Sequence, residues 1–158
     1  MLFRSQGWIQ DTSSVPAQPT KSQIIAAGVR AAQRMNDYGY NAQYVIATPW
    51  GVVDQYSTAK RFCGWHDWTS VGTSGNWVTI TSLPYAPYLD YLGRGCGGGT
   101  VNGSNGVLDG VTILASHEYA ETVNDPQLNN WYDINGHENA DKCSWVNLSN
   151  YKIGRAHV

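Results

Sequence analysis

An α+β fold, with a small, mostly antiparallel sheet packed on two helices, is what the sequence predicts. Three observations predict it. Apolar residues recur at helical spacing in two separated stretches, 20–38 and 109–124. Between them lie short aromatic and β-branched runs broken by glycine turns. The chain has 158 residues, enough for one domain with a real core, and 14% of them are charged, against a usual share of about 25%. With 17 Gly, 7 Trp and 10 Tyr, this composition argues against disorder, coiled coil and long polar helices.

Each element has a local reason. Residues 6–19, rich in Ser, Pro, Gln and Thr, read as an extended lead-in. Thr20-Lys21-Ser22-Gln23 is a capping box, in which the Thr hydroxyl and the Gln side chain each satisfy a free backbone N–H. Ile24, Gly28, Ala31 and Met35 then mark one helix face, widened by Ala27 and Ala32, with a stop near Gly39. Tyr44-Val45-Ile46-Ala47 is a short strand ended by Pro49. Residues 62–71 and 76–83 form a hairpin across Gly72-Thr73-Ser74-Gly75. Tyr85 to Leu92 is a further expected strand, and residues 93–106, with seven Gly, a loop. Asp109 is an expected N-cap for a helix carrying Val111, Leu114, Ala115 and Val123. Asp125-Pro126 stops it, because the residue before Pro is driven out of the α region. The segment 126–151 has no clear period, and a long irregular segment in a compact domain is usually functional or held by specific bonds.

Formal net charge is −2 and no Lys/Arg cluster occurs, which argues against a nucleic-acid partner or an anionic membrane surface. No apolar run approaches the roughly 18 residues needed to span a bilayer. Both ends read as foreign. Leu2-Phe3-Arg4-Ser5 and Ile153-Gly154-Arg155-Ala156-His157-Val158 translate the two strands of one common sequencing adapter, with Lys152 at the junction. Residues 1–5 and 152–158 are therefore expected to be adapter-derived tails. Residues 6–151 are expected to be a single catalytic-like domain, a fragment of a longer protein with additional domains outside it.

The acidic residues are unevenly drawn. There are nine Asp but three Glu, and Glu118, Glu121 and Glu138 all fall in one short stretch with His117 and His137. In His117-Glu118-Tyr119-Ala120-Glu121, positions 117 and 121 stand one turn apart on one helix face. That is how a helix offers two ligands to one metal. Glu118 lies about 100° round the helix, where it can reach a bound water without being a ligand. In the H-E-x-x-H zinc hydrolases that residue is the general base, and carboxylate oxygen can replace the second His as a zinc ligand. A third ligand is then required; Glu138, Asp141, His137 and Asp133 can each supply it. Asp125 is expected to end the helix instead. Such a triplet ordinarily marks a solvated charged face. Against that, this helix is apolar, and no Lys or Arg occurs between Arg94 and Lys142 to pair the carboxylates. A dication resolves the cost of burying them.

Separated pieces of the chain resemble one family. They are Phe62-Cys63-Gly64-Trp65-His66, Cys96 in its Gly-rich loop, Leu108-Asp109-Gly110, Ser116 to Pro126, Trp131-Tyr132-Asp133, and Glu138-Asn139-Ala140-Asp141-Lys142-Cys143. In this order they resemble the exordium-like, or phosphate-induced, secreted proteins, and most closely a bacterial branch with a zincin-like H-E-x-x-E helix. The resemblance runs from about Tyr44 to Trp145. It implies secretion, disulfides and a zinc site in which His117 and Glu121 are ligands, Glu118 is the base, and Glu138 and Asp141 are the downstream acidic ligands. His66 can approach such a metal from the hairpin. A core histidine among Trp65 and Trp68 is the preferred role, since the plant members, whose helix is degenerate, also have a His there. Trp65, Trp68, Trp77 and Tyr85 read as sheet packing, and Trp131 and Trp145 as substrate contacts. Three cysteines leave one odd. Cys63–Cys96 is the preferred bridge and Cys96–Cys143 its competitor.

The leading expectation is thus a secreted zinc-dependent metallopeptidase or amide hydrolase acting on polypeptide. The alternative is a non-catalytic secreted module binding cell-wall polymer or protein. A calcium site is disfavoured by His117, a poor ligand for that hard cation.

Overall fold

In the computed structural model, residues 7–73 and 75–146 are described. The expected tails, 1–5 and 152–158, lie outside the described residues. The class is α+β, as the sequence predicts.

Helix α1 runs Lys21–Met35 and opens on the predicted capping box. Thr20 Oγ1 accepts from the Gln23 N–H at 3.2 Å, and Gln23 Oε1 accepts from the Thr20 N–H at 2.8 Å. It ends before Gly39, on Asn36 in the left-handed conformation. Strands β1 (Gln43–Ala47), β2 (Trp65–Val71) and β3 (Asn76–Leu83) form one sheet in the order β1-β3-β2. The predicted hairpin is present as the antiparallel pair β2–β3. The sheet is mixed rather than mostly antiparallel, because β1 pairs parallel to β3. A parallel neighbour needs a crossover, and here the chain makes it through α2 (Gln55–Lys60) and β2.

Helix α2 has no counterpart in the sequence prediction. Its start is chemically explicit: Asp54 accepts from the Ser57 N–H at 2.8 Å and the Ser57 hydroxyl at 2.7 Å. The strand expected at 85–92 is instead helix α3 (Ala86–Tyr91). Pro87 sits in its first turn, where its fixed φ suits a helix and its missing N–H costs nothing. Ala86 and Leu89, three apart, supply the buried face.

The sheet is covered on both sides. Helix α1 packs Ile24 and Ala32 against Trp65, Val78 and Ile80 of the sheet. On the other side Leu114 of α4 (Asp109–Asn124) packs in a second cluster with Leu83, Leu89 and Cys96. Side chains alternate across a strand, so β3 sends Val78 and Ile80 toward α1 and Thr79 and Thr81 toward α4. The α4 side of the sheet is therefore polar where the helix crosses it. Gln43 spans that layer, donating to Thr81 Oγ1 at 2.6 Å and Thr122 Oγ1 at 2.9 Å.

Of the two bridges considered, Cys63–Cys96 forms, and Cys143 is free and exposed. The bridged loop presses on the start of α4: a Cβ at Gly110 would collide with the Cys96 carbonyl. Among the described residues, no helix is long and apolar enough to cross a membrane.

Candidate metal centre

Helix α4 carries the centre. Asp109, the expected N-cap, is its first residue, and Leu108 takes the cap position. The Asp109 carboxylate instead ties down the Gly-rich loop, accepting from the Val101 and Asn102 N–H groups at 2.8 Å each. At the other end Asp125 closes the helix as expected, its Oδ1 accepting from the Asn129 and Asn130 N–H groups at 2.8 and 3.0 Å.

One turn of α4 places His117 Nε2 3.1 Å from Glu121 Oε1. Asp141, in a 3-10 turn at Asp141–Cys143, brings its Oδ1 to 3.5 Å from the same His117 nitrogen. Candidate ligand atoms of His117, Glu121 and Asp141 all lie within 4.8 Å of one another. Charge-assisted N–H···O bonds are shorter, about 2.7–2.9 Å. Ligands on a tetrahedral zinc, bonded at about 2.0–2.1 Å, stand about 3.3 Å apart. The spacing thus suits a zinc shell. The Ser144 hydroxyl lies 3.5 Å from His117 Nδ1, where it can fix the ring.

His66, second residue of β2, reaches the same place. It is buried as expected of a core residue, yet its ring meets carboxylates. Its Nδ1 is 3.4 Å from Glu118 Oε2 and 3.5 Å from Glu121 Oε2, and its Nε2 is 3.5 Å from Glu138 Oε1. His66, Glu118 and Glu121, all buried, form a second group with metal-ligand spacing. Among the described residues, two buried atoms here have no hydrogen-bond partner: His66 Nε2 and Glu138 Oε1. Unpaired buried polar atoms are costly, and a bound cation is one way to satisfy them.

The remaining predicted residues divide. Glu138 faces His66 but belongs to neither three-residue group. Asp133 turns away, accepting from the Asn135 and His137 N–H groups at 2.8 and 3.0 Å and pairing with Lys142 at 3.3 Å. His137 follows Asp133, 3.6 Å away. A cavity of about 230 Å³ opens beside His117, Glu118 and Asp141, with Phe62, Gly64 and Trp145 in its wall. Trp145 is therefore at the site. Trp131, 71% exposed, is not among the lining residues.

Electrostatics follow from burying so many carboxylates together. Burial raises Glu118, and it raises Glu138 to about 7. Burial also opposes ionisation of Glu121, but hydrogen bonds from His117 and His66 outweigh it and hold that carboxyl at about 2. Burial disfavours a charged His66, yet Glu118 and Glu121 overcome this and lift the ring to about 10. His117 is lifted in the same way, chiefly by Glu121.

Fold and site define an α+β domain with a His–carboxylate centre built on one helix and one sheet edge. The chain is 32% identical over 129 residues to Protein EXORDIUM-like 5 of Arabidopsis thaliana. That match covers 72% of this chain and 34% of the plant protein, so the chain spans about a third of its relative's length. The similarity supports the exordium-like family. No family model matches the chain, and no solved structure does.

Proposed function

We propose that the chain is part of a secreted exordium-like module that holds zinc on α4 and presents the adjoining cavity to a cell-wall polymer or a polypeptide. The arrangement of His117, Glu121 and Asp141 carries the metal part of this reading. The similarity to Protein EXORDIUM-like 5 and the Cys63–Cys96 bridge support the secreted part, since disulfides persist in oxidising compartments. His117 and Glu121 would offer ligands from the helix, and Asp141 would close the shell from the irregular segment. Zinc analysis of the purified chain tests it. About one ion per chain is expected at this triad, and the double change His117→Ala plus Glu121→Ala should remove it. Equal metal content in both proteins would sink the reading.

A second reading, zinc-dependent peptidase or amide hydrolase, is favoured by the place of Glu118. It is buried, it lines the cavity, and it adjoins His117. Zinc in this position would supply Lewis-acid polarisation of a scissile carbonyl. Glu118 would take a proton from the attacking water and pass it to the leaving amine. The test pairs zinc content with cleavage of an unfolded protein substrate. Glu118→Gln should keep zinc at the triad and lose about 10²–10⁴-fold in rate. A wild type that binds zinc and cleaves nothing across a broad peptide library returns the module reading alone.

A further inference from the structure

We propose that the centre is built for two cations, the second held by His66, Glu118 and Glu121, with the Glu121 carboxylate bridging the pair. The inference rests on the zinc reading of the His117 triad and extends it. Glu121 is common to both groups, and it uses a different oxygen for each. Its Oε1 faces His117 Nε2 at 3.1 Å, and its Oε2 faces His66 Nδ1 at 3.5 Å. One carboxylate turning its two oxygens to two separate imidazoles is the geometry of a bridging ligand. Two-metal sites hold their ions about 3.5–4 Å apart, within the span of one carboxylate.

Two further observations point to an ion at His66. The His66 side chain is 3% exposed, and among the described residues its Nε2 has no hydrogen-bond partner while facing Glu138 Oε1, also unpartnered there. A metal-bound His donates its other ring N–H to a carboxylate in most sites. An ion on Nδ1 would fix the tautomer so that Nε2 carries that proton toward Glu138. Glu138 then acts as a positioning residue. The charges also balance: Glu118, Glu121, Glu138 and Asp141 are four carboxylates, and two dications neutralise them. The inference gives Glu118 a use that does not require hydrolysis.

The test uses the full chain, stripped by chelator and titrated with Co²⁺. Bound cobalt is counted after dialysis, and electron paramagnetic resonance is read at each step. Two ions per chain are expected. The second equivalent should lower the resonance intensity per ion, because carboxylate-bridged Co²⁺ pairs couple their spins. His66→Ala should bind one ion with an uncoupled spectrum. A wild type that binds one ion, lost in His117→Ala, overturns the inference and leaves the single-zinc reading standing. A wild type that binds none overturns both. Two ions with independent spectra overturn the bridge. These wild-type readings hold even if His66→Ala does not fold.

Discussion

Gly64 and Glu118 are packed so closely that a Cβ on the glycine would stand 2.9 Å from Glu118 Oε1 and 3.3 Å from the Ser82 carbonyl oxygen. The missing side chain at 64 is thus part of the centre: it leaves room for a buried carboxylate between β2 and α4. Gly64→Ala must push Glu118 or the strand aside. We expect a loss of about 1–3 kcal/mol of stability, typical of overpacking, together with weaker metal retention. Gly28→Ala is the control. Its Cβ would press on Ile80 on the α1 side of the sheet, so it should lower the melting temperature while leaving metal content intact. Equal metal loss in both variants would show that Gly64 acts only through global stability.

Acid and base should act oppositely on the metal-free and loaded proteins. In the metal-free chain, Glu138 is raised to about 7 and His66 to about 10. A carboxyl raised above its unfolded value makes the folded state the better proton binder between about 4.5 and 7, so stability falls as pH rises through that window. For His66 the contribution is whole below about 6.5 and is lost as pH rises toward 10. Glu121, held at about 2, gives the opposite slope below about 4.5. Stability of the stripped protein should therefore peak near pH 4.5–5 and decline toward alkaline pH. Zinc needs deprotonated ligands, so the loaded protein should instead gain stability as pH rises from 5 to 8. Chemical denaturation at several pH values, with and without zinc, reads both slopes.

Removing the bridge should be costly. Cys63 and Cys96 are 33 residues apart, and closing a loop of that size stabilises by about 3–4 kcal/mol in the chain-entropy account. The double change Cys63→Ala plus Cys96→Ala should lose that amount in urea unfolding. Cys143, exposed and unbridged, should be the thiol that a small alkylating reagent labels in the native chain. Labelling at Cys63 or Cys96 without denaturant would contradict the pairing.

Trp145 and Trp131 should behave differently. Trp145 lines the cavity and Trp131 does not. Trp145→Ala should weaken binding of any ligand that enters the cavity, and bound Co²⁺ should quench its fluorescence. Trp131→Ala should change neither. A loss of quenching in Trp131→Ala as large as in Trp145→Ala would place Trp131 at the site after all.

What the sequence made legible was local. The Thr20–Gln23 box, the break at Asp125-Pro126 and the His117/Glu121 spacing are set by bonds or geometry within a few residues, and each stands as read. Helix α3 was misread because Tyr85, Tyr88, Tyr91 and Leu92 look like strand residues, although Pro87 is a helix-start signal. Helix α2 is one and a half turns long, too short for periodicity, and Asp54 was its only advertisement. The parallel placement of β1 depends on which edge of β3 is free, which no strand's own pattern records. His66 is the instructive case at the site. Its carboxylate partners lie about 50 to 70 residues away along the chain, so a core role and a ligand role give the same sequence signal. Only the sheet order, which carries β2 beneath α4, separates them.

The Cys63–Cys96 bond has a consequence for the order in which the protein is completed. One end lies three residues before His66, and the other presses its carbonyl on Gly110, about two turns before the His117 motif. The covalent link therefore clasps together the two elements that bring ligands from opposite sides. While it is open, the proposed ion would have to gather β2 and α4 itself and bear that ordering cost. Once it is closed, that ion would meet a prepared socket. On the proposed zinc reading, oxidation would be the maturation step, and metal loading would follow it most readily in a compartment that forms disulfides.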